Sequence, residues 1–337
     1  MFSNREEALV QVSELLRRAG FYLFDVHHVR PTPFDLIARR DSTLLLLKVL
    51  KNADALGPDD ASLLRLVAQA MGAVPIVVGG TSGPHALESG ILYSRHGVVI
   101  LSLETLVEYL AEGIPPILVS GPGGKFARVD GRQLRRTREV RGLSLAAVAD
   151  AAGVSRRTIQ LYEEGAGADL SILDRLERFL AVQLAIPLDP FAEGVVGPYR
   201  GSPEEDRPLP SPPARGPTQR AASQRGPLPP ALAEELNERG WDLIITLRTP
   251  FDVLARDERH REERVLIGVG DLQSAERRSR LLFHVARVAE GESLFVVPDR
   301  RSRTNMEGVP LVSYQELRQH AGPEELRELL RERRRRP

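Results

Sequence analysis

The 337-residue chain has no cysteine, which excludes a disulfide framework and every zinc site built on thiolates, finger modules included. It also has no apolar run near the roughly 18 residues that a membrane-spanning helix needs, so no membrane partner is expected. The opening residues, Met-Phe-Ser-Asn-Arg-Glu-Glu, lack the basic stretch and apolar core of a secretory leader, and the expected location is cytoplasmic. Lysine is nearly missing, with Lys48, Lys51 and Lys125 the three among 46 basic residues. Aromatic residues are scarce at 5%, but a hydrophobic content of 42% suffices for folded cores. There is no excess of either charge, 46 basic against 46 acidic. No global field would therefore draw the chain onto nucleic acid, and any affinity for phosphate must be local.

Two further signals are missing. The seven histidines show no paired helical spacing of the kind that binds zinc. The loop Gly79-Gly80-Thr81-Ser82-Gly83 lacks the lysine of a phosphate-binding loop and the glycine spacing of a dinucleotide site. No metal, cofactor or catalytic group is expected.

What is present is a segmented chain. Proline concentrates between Pro187 and Pro230, where 12 of the 25 prolines fall. Proline removes backbone donors, and this stretch has few large apolar side chains, so 187–230 reads as a linker. A shorter break lies at Ser120-Gly121-Pro122-Gly123-Gly124. The segments outside these breaks, 1–119 and 231–330, resemble one another and read as an internal repeat. Each opens with an amphipathic helix closed by Gly20-Phe21 or Gly240-Trp241, glycine being the usual helix stop. Each then carries a matching heptad, Thr32-Pro33-Phe34-Asp35-Leu36-Ile37-Ala38 and Thr249-Pro250-Phe251-Asp252-Val253-Leu254-Ala255. The expected order in each is α-β-β-α-β-β-α, with apolar strands at 44–50 and 265–269 and at 75–78 and 294–297, a mixed sheet covered on both faces. The basic run 331–337 reads as a solvated tail.

Between the repeats, residues 120–186 read as a small helical domain. A basic helix is expected from Gly131 to Arg141, with Leu134 and Val140 inward and Gly142 as its stop. Ser144 caps a second helix, Leu145 to Ala152, that ends at Gly153, and Ser155 caps a third, Arg156 to Glu164. Ala149 is small where two helices must cross, Gly153 supplies a tight turn, and Val148, Val154, Ile159 and Tyr162 share one inward face. A fourth helix, 170–182, adds Leu173, Leu176, Phe179 and Leu180 to the core. From Lys125 to Gly165 nine residues are basic and five acidic, so the neutral chain places a local positive excess here.

The residues Arg138 to Leu145, Ala149 to Val154 and Ser155 to Gly165 resemble the Cro and phage-repressor (XRE-like) helix-turn-helix family. That resemblance implies that the third helix enters the major groove, with Arg156, Arg157, Gln160 and Leu161 toward base edges and Arg141, Ser155 and Thr158 toward phosphates. Arginine can pair bidentately with guanine and glutamine with adenine. The family often has glutamine at the start of the second helix, where this chain has Leu145.

The flanking repeats resemble the restriction-endonuclease-like fold, whose metal site draws on Asp and Glu-x-Lys. Asp35 and Lys48 match that pattern, but Leu46 stands where the second carboxylate is needed, and it cannot hold a hard cation. In the second repeat Gly268 falls at the lysine position, leaving Asp252 alone. The fold class expected is therefore multidomain α/β plus all-α, two nuclease-like α/β domains around a Cro/repressor-like bundle. The whole arrangement resembles the archaeal HTH-type transcriptional regulator family. The expected partners are double-stranded DNA, a second copy of the chain in a homodimer, and an effector of open identity. The alternatives are a metal-dependent nuclease or DNA-processing protein using Asp35 and Lys48, and a non-catalytic interaction module.

Overall fold

The computed structural model describes residues 4–28, 32–121, 124–192, 194–196, 227–246, 248–260, 263–298 and 303–334. The chain opens with α1 (Arg5–Arg18), β1 (Tyr22–Asp25), β2 (Leu36–Arg40), β3 (Thr43–Asn52), α2 (Pro58–Met71), β4 (Val74–Ser82), β5 (His85–Ala86), β6 (Ile91–Arg95), β7 (Val98–Ser102) and α3 (Leu103–Val107). The central segment carries β8 (Leu118–Gly121), β9 (Gly124–Arg128), α4 (Gly131–Val140), α5 (Leu145–Ala152), α6 (Arg156–Glu163), β10 (Gly167–Asp169) and α7 (Leu170–Leu180). The C-terminal segment carries α8 (Pro230–Glu238), β11 (Trp241–Ile245), β12 (Val253–Asp257), β13 (Arg264–Val269), α9 (Leu272–Val288), β14 (Glu292–Val297), β15 (Asn305–Met306), β16 (Val309–Ser313), α10 (Tyr314–Gln319) and α11 (Pro323–Arg334).

Both flanking segments hold more strands than the sequence pattern predicts. Three precede the central helix instead of two, because the Phe-Asp heptad itself becomes a strand. Leu36, Ile37 and Ala38 in β2, and Val253 and Leu254 in β12, are fully buried. A continuous apolar run bounded by Pro-Phe satisfies its backbone by joining a sheet. The later strand is likewise a hairpin, β6 with β7 and β15 with β16. Residues 331–334 correct a second expectation, since they complete α11 rather than form a tail. Arg333 donates to Glu316 Oε1 at 2.6 Å and Arg334 pairs with Glu292. Residues 335–337 lie outside the described residues.

The chain divides into two compact units, one of Met1–Ala19, Val49–Ala61 and Pro75–Ser211, the other of Gly20–Lys48, Ser62–Val74 and Pro212–Pro337. In the first, α1 is capped by Asn4, whose Oδ1 accepts from Glu7 N at 2.7 Å, and it buries Ala8, Leu9, Val12 and Leu16 along one face. β4 and β7 run parallel, Ile76 facing Val99, as buried strands of an α/β sheet do. The ladder continues through β6 and β8 to β9 and β10. Ser120 and Gly121 pair with Lys125 and Gly124, so the glycine-rich break falls between two paired strands rather than between domains. The start of the expected linker also packs here. Leu188, Phe191 and Val195 are buried, Leu188 N donates to Pro116 O at 2.8 Å, and Tyr109 donates to Asp189 at 2.8 Å. Proline density misjudged this edge because three apolar side chains outweigh it. Residues 197–226 lie outside the described residues.

In the second unit, β1, β2 and β3 form an antiparallel set. The C-terminal sheet has the order β11-β12-β13-β14-β16-β15, antiparallel through β13 and parallel from β13 to β16. Trp241, Val253, Val265, Ile267, Leu294, Val296 and Val312 form its core with Leu232, Leu317 and Leu326 from helices α8, α10 and α11. The indole of Trp241 donates to Ala321 O at 2.8 Å, so a large buried ring keeps its polar atom satisfied.

Candidate nucleic-acid interface

The helical bundle follows from its caps. Ser144 Oγ accepts from Ala147 N at 3.1 Å and Ser155 Oγ from Thr158 N at 3.0 Å, each satisfying a donor that a helix start leaves unpaired. Gly153 ends α5 at φ +69°, a left-handed conformation that costs a side-chain-bearing residue roughly 1–2 kcal/mol. Inside, Leu134, Val148, Ala149, Ala152, Ile159, Leu173, Leu176 and Leu180 pack with Tyr162, with Ala127 from β9 and with Val129 just after it. The far end closes on the sheet, where Asp130 N donates to Leu184 O at 2.8 Å and Ile186 N to Arg128 O at 2.9 Å.

Two expected core residues face solvent instead. Val140 is 80% exposed and Phe179 is 41% exposed. Each stands six residues after an inward leucine, Leu134 and Leu173, which turns it about 240° around the helix and off the buried face. The inward set of α7 is Leu173, Leu176 and Leu180, at spacings of three and four.

α6 is fixed at its C-terminal end. The guanidinium of Arg138 on α4 forks onto Glu163 on α6, Nε to Oε1 at 2.6 Å and Nη2 to Oε2 at 3.0 Å. Their side chains are 14% and 9% exposed. The hydrogen bond to Glu163 holds Arg138 still more firmly charged than an ordinary arginine. Gly131 on α4 lies against the same end of α6, and a Cβ there would sit 2.4 Å from the carbonyl oxygens of Tyr162 and Glu163. Burial raises the Tyr162 phenol, and Asp169 adds to it, so this ring is neutral packing material. Asp169, hydrogen-bonded by the Ser171 side chain and backbone, is held below the usual carboxylate range and caps α7.

With its back held this way, α6 presents Arg156, Arg157 and Gln160 to solvent, all exposed, with Arg157 Nη1 donating to Gln160 Oε1 at 3.3 Å. Ser155 is exposed and Thr158 half-buried, their hydroxyls 2.8 Å apart. Arg141 is exposed at the C-cap of α4. Leu161 is half-buried and packs on the core, as Leu145 does. Sequence reasoning did not single out Arg138 and Glu163, although their positions opposite a Gly-containing crossing could have drawn attention to them. Charge on this face is reduced locally, since Arg135 also bonds Glu139 at 3.0 Å.

The nuclease-like constellation assembles in part. β2 and β3 pair as far as Leu36 opposite Leu47, and Asp35 N donates to Leu47 O at 2.7 Å, so Asp35 and Lys48 both stand just beyond that last pair, at one end of the two-stranded ladder. Asp35 is 1% exposed, and Lys48 Nζ donates to Thr32 O at 3.1 Å. Leu46, two residues from Lys48, is fully buried. The C-terminal segment repeats the local bonds, with Asp252 N donating to Ile267 O at 2.8 Å and Val253 opposite Ile267, which sets Gly268 opposite Asp252. A Cβ on Gly268 would lie 2.5 Å from the Phe295 ring, so no lysine fits there without repacking. Asp252 instead accepts from Arg278 Nη2 at 2.9 Å and from Val269 N at 2.7 Å.

Among the described residues, Asp257, His260 and Glu263 bring metal-ligand atoms near one another. The guanidinium of Arg327 already bridges Asp257 and Glu263, and Asp257 also accepts from Arg259 N at 2.8 Å. Those bonds outweigh burial and hold the Asp257 carboxyl below its usual range, as an ion-paired corner would be.

Comparison with known proteins separates two matched regions. Residues 5–116 match a PD-(D/E)XK superfamily domain, and residues 134–186 match a helix-turn-helix family. Over nearly its full length the chain is 32% identical to a protein of Halorubrum lacusprofundi, covering 99% of both chains, whose name is "Putative HTH-type transcriptional regulatory protein". A protein of Methanosarcina mazei with the same name is 32% identical over 98% of both chains, and one of Archaeoglobus fulgidus 29% identical over 96% of this chain. The chain belongs to this archaeal family of HTH-type transcriptional regulatory proteins. This chain carries an XRE-type helix-turn-helix domain after an N-terminal PD-(D/E)XK domain, and DNA binding and transcription regulation are the functions that the HTH domain and the family name carry. The chain is thus mixed α/β with a helix-turn-helix region, and no helix among the described residues is long and apolar enough to cross a membrane.

Proposed function

We propose that this protein is a sequence-selective, duplex-DNA-binding transcriptional regulator that reads the major groove with α6. The observation that carries the reading is the exposed row Arg156, Arg157 and Gln160 on a helix locked from behind by the Arg138–Glu163 fork. A rigid helix loses little entropy on docking, and these side chains have the donors and acceptors that discriminate base edges. Arg141, Ser155 and Thr158 take phosphate positions, and Leu161, anchored in the core, meets the groove with its exposed edge. One bundle reads one half-site, so the chain acts as a homodimer on a palindromic operator, in the cytoplasm, with an effector of open identity.

The flanking segments are two copies of one unit. The Thr32 and Thr249 hydroxyls both turn back to the carbonyl of the following Phe, and both Asp amides bond the partner strand. In this reading neither copy cuts DNA, the first lacking a second carboxylate beside Lys48 and the second lacking the lysine, and both serve as scaffold. With the packed residues 188–195 and the last helix taken into account, the domains of this reading are 1–119, 120–196 and 227–334. Fluorescence anisotropy with a duplex operator tests the reader. Arg156→Ala/Arg157→Ala/Gln160→Ala loses base preference and roughly tenfold or more in affinity, each good bidentate contact being worth about 1–3 kcal/mol. Retained preference would reject the assignment.

The second reading, a metal-dependent nuclease, draws on Asp35 and Lys48 standing at one end of the β2–β3 ladder. It requires cleavage of duplex DNA in Mg²⁺ or Mn²⁺ that disappears in Asp35→Ala. The scaffold reading expects no cleavage from either form.

A further inference from the structure

Helix α9 carries a row of cationic residues that the reader does not use. Arg277, Arg280, His284 and Arg287 stand at spacings of three, four and three, which places them along one stripe of the helix. The three arginines are exposed. Among the described residues none of them has an acid within ion-pair distance. That is a contrast within one unit, because Arg278 on the same helix pairs with Asp252, and Arg256, Arg318, Arg327, Arg333 and Arg334 are each matched to a carboxylate. In a chain with as many acids as bases, three arginines on one helix stripe without an ion pair among the described residues form a local positive surface.

The stripe has a direction. Glu290, just beyond α9, pairs with Arg39 on β2, Arg287 lies over the Tyr22 ring at 5.6 Å, and His284 stacks on Phe24 at 4.6 Å. Moving back along the helix therefore moves along β1 from Tyr22 toward Asp25, the end of the strands that carries Asp35 and Lys48. Arg280 and Arg277 continue that path. The His284 imidazole registers the field, since burial first and then Arg280 and Arg287 push it below its ordinary value, with Glu307 opposing.

We propose that the Arg277–Arg280–Arg287 face of α9 is a second DNA-contacting surface, which binds the phosphate backbone of duplex DNA without reading sequence. Ten residues of helix rise about 15 Å, the advance of roughly four phosphates along one strand. Guanidinium groups suit phosphate because their donors form a planar fork. The proposal rests on DNA being the partner but not on α6 reading bases.

The test uses the full chain in the Arg156→Ala/Arg157→Ala/Gln160→Ala background, titrated with a random-sequence duplex over a range of salt. Adding Arg277→Gln/Arg280→Gln/Arg287→Gln lowers the remaining affinity at least tenfold and makes the log–log salt slope shallower by up to about 2.7, near 0.9 per phosphate contact. Arg277→Lys/Arg280→Lys/Arg287→Lys restores most of both, which a merely structural role would not do. An unchanged slope in a glutamine variant that melts like its parent overturns the proposal, as does binding to anionic vesicles or single-stranded RNA in place of duplex. Loss of base preference in the α6 background alone tests the other reading and leaves this result independent.

Discussion

At the scale of single residues, the helix proposed as the reader is held by an ion pair at its C-terminal end. Arg138 and Glu163 are joined by two hydrogen bonds and largely removed from solvent. Removing the cation strands a nearly buried carboxylate, which costs about 3–5 kcal/mol when burial is complete and less where water still reaches it. Arg138→Met is expected to lower stability by about 1–3 kcal/mol in urea unfolding, and to weaken DNA binding at temperatures where the fold is intact, because α6 loses its hold on α4. Glu316 gives a residue-scale pH effect. Burial alone would raise its carboxyl, but the Ser313 amide and hydroxyl and the Arg333 guanidinium bring it below the ordinary range. A depressed carboxyl adds stability above its unfolded value and loses it as the pH falls through the folded value. The urea midpoint should therefore fall on acidification below about pH 4.5, and Glu316→Gln should reduce that acid sensitivity while lowering the neutral-pH midpoint.

At the scale of elements, the sequence pattern placed the helices of the bundle because every signal there is local. Ser144, Ser155, Gly142 and Gly153 act within one turn of where they stand, and α4, α5 and α6 begin and end within a residue of expectation. What the pattern missed depends on partners distant in sequence. Val140 and Phe179 were assigned to the core on apolarity, and their faces are decided by what packs opposite. The extra strands β2 and β12 exist because neighbouring strands accept their amides, a fact no periodicity encodes. Of the candidate site, the exposed row on α6 was legible and the Arg138–Glu163 fork was not, since 25 residues separate its members. The α4–α6 crossing carries the prediction at this scale. Gly131→Ala pushes a methyl against two backbone carbonyls at 2.4 Å, which can yield only by moving α6. Overpacking of this kind costs about 1–3 kcal/mol, and the variant should lose DNA affinity out of proportion to its change in melting temperature.

At the scale of the whole molecule, the chain combines a helix-turn-helix domain with an N-terminal nuclease-like domain and with the C-terminal segment proposed as its second copy. In the N-terminal domain Asp35 and Lys48 stand at one end of the β2–β3 ladder, Lys48 donating to Thr32 O, while Leu46 fills the third position with hydrocarbon. In the C-terminal domain Phe295 occupies the space of a side chain at Gly268, and Arg278 takes the carboxylate of Asp252. Such sites are better suited to stability than to holding a cation between two acids. The sequence exposed both substitutions, Leu46 and Gly268, while Arg278, contributed by α9 from 26 residues beyond Asp252, became visible only once the helix was placed on its sheet. In a neutral chain, the exposed arginines of α6 and α9 form the surfaces proposed to meet phosphate, and if they do the binding should weaken steeply with salt.

The central claim, that α6 reads sequence, is tested most directly by selecting bound duplexes from a random DNA library with the intact protein and with Arg156→Ala/Arg157→Ala/Gln160→Ala. The account predicts a palindromic motif enriched by the wild-type chain and lost by the variant. Failure of the wild type to enrich any motif, or the same motif emerging from both proteins, would contradict it.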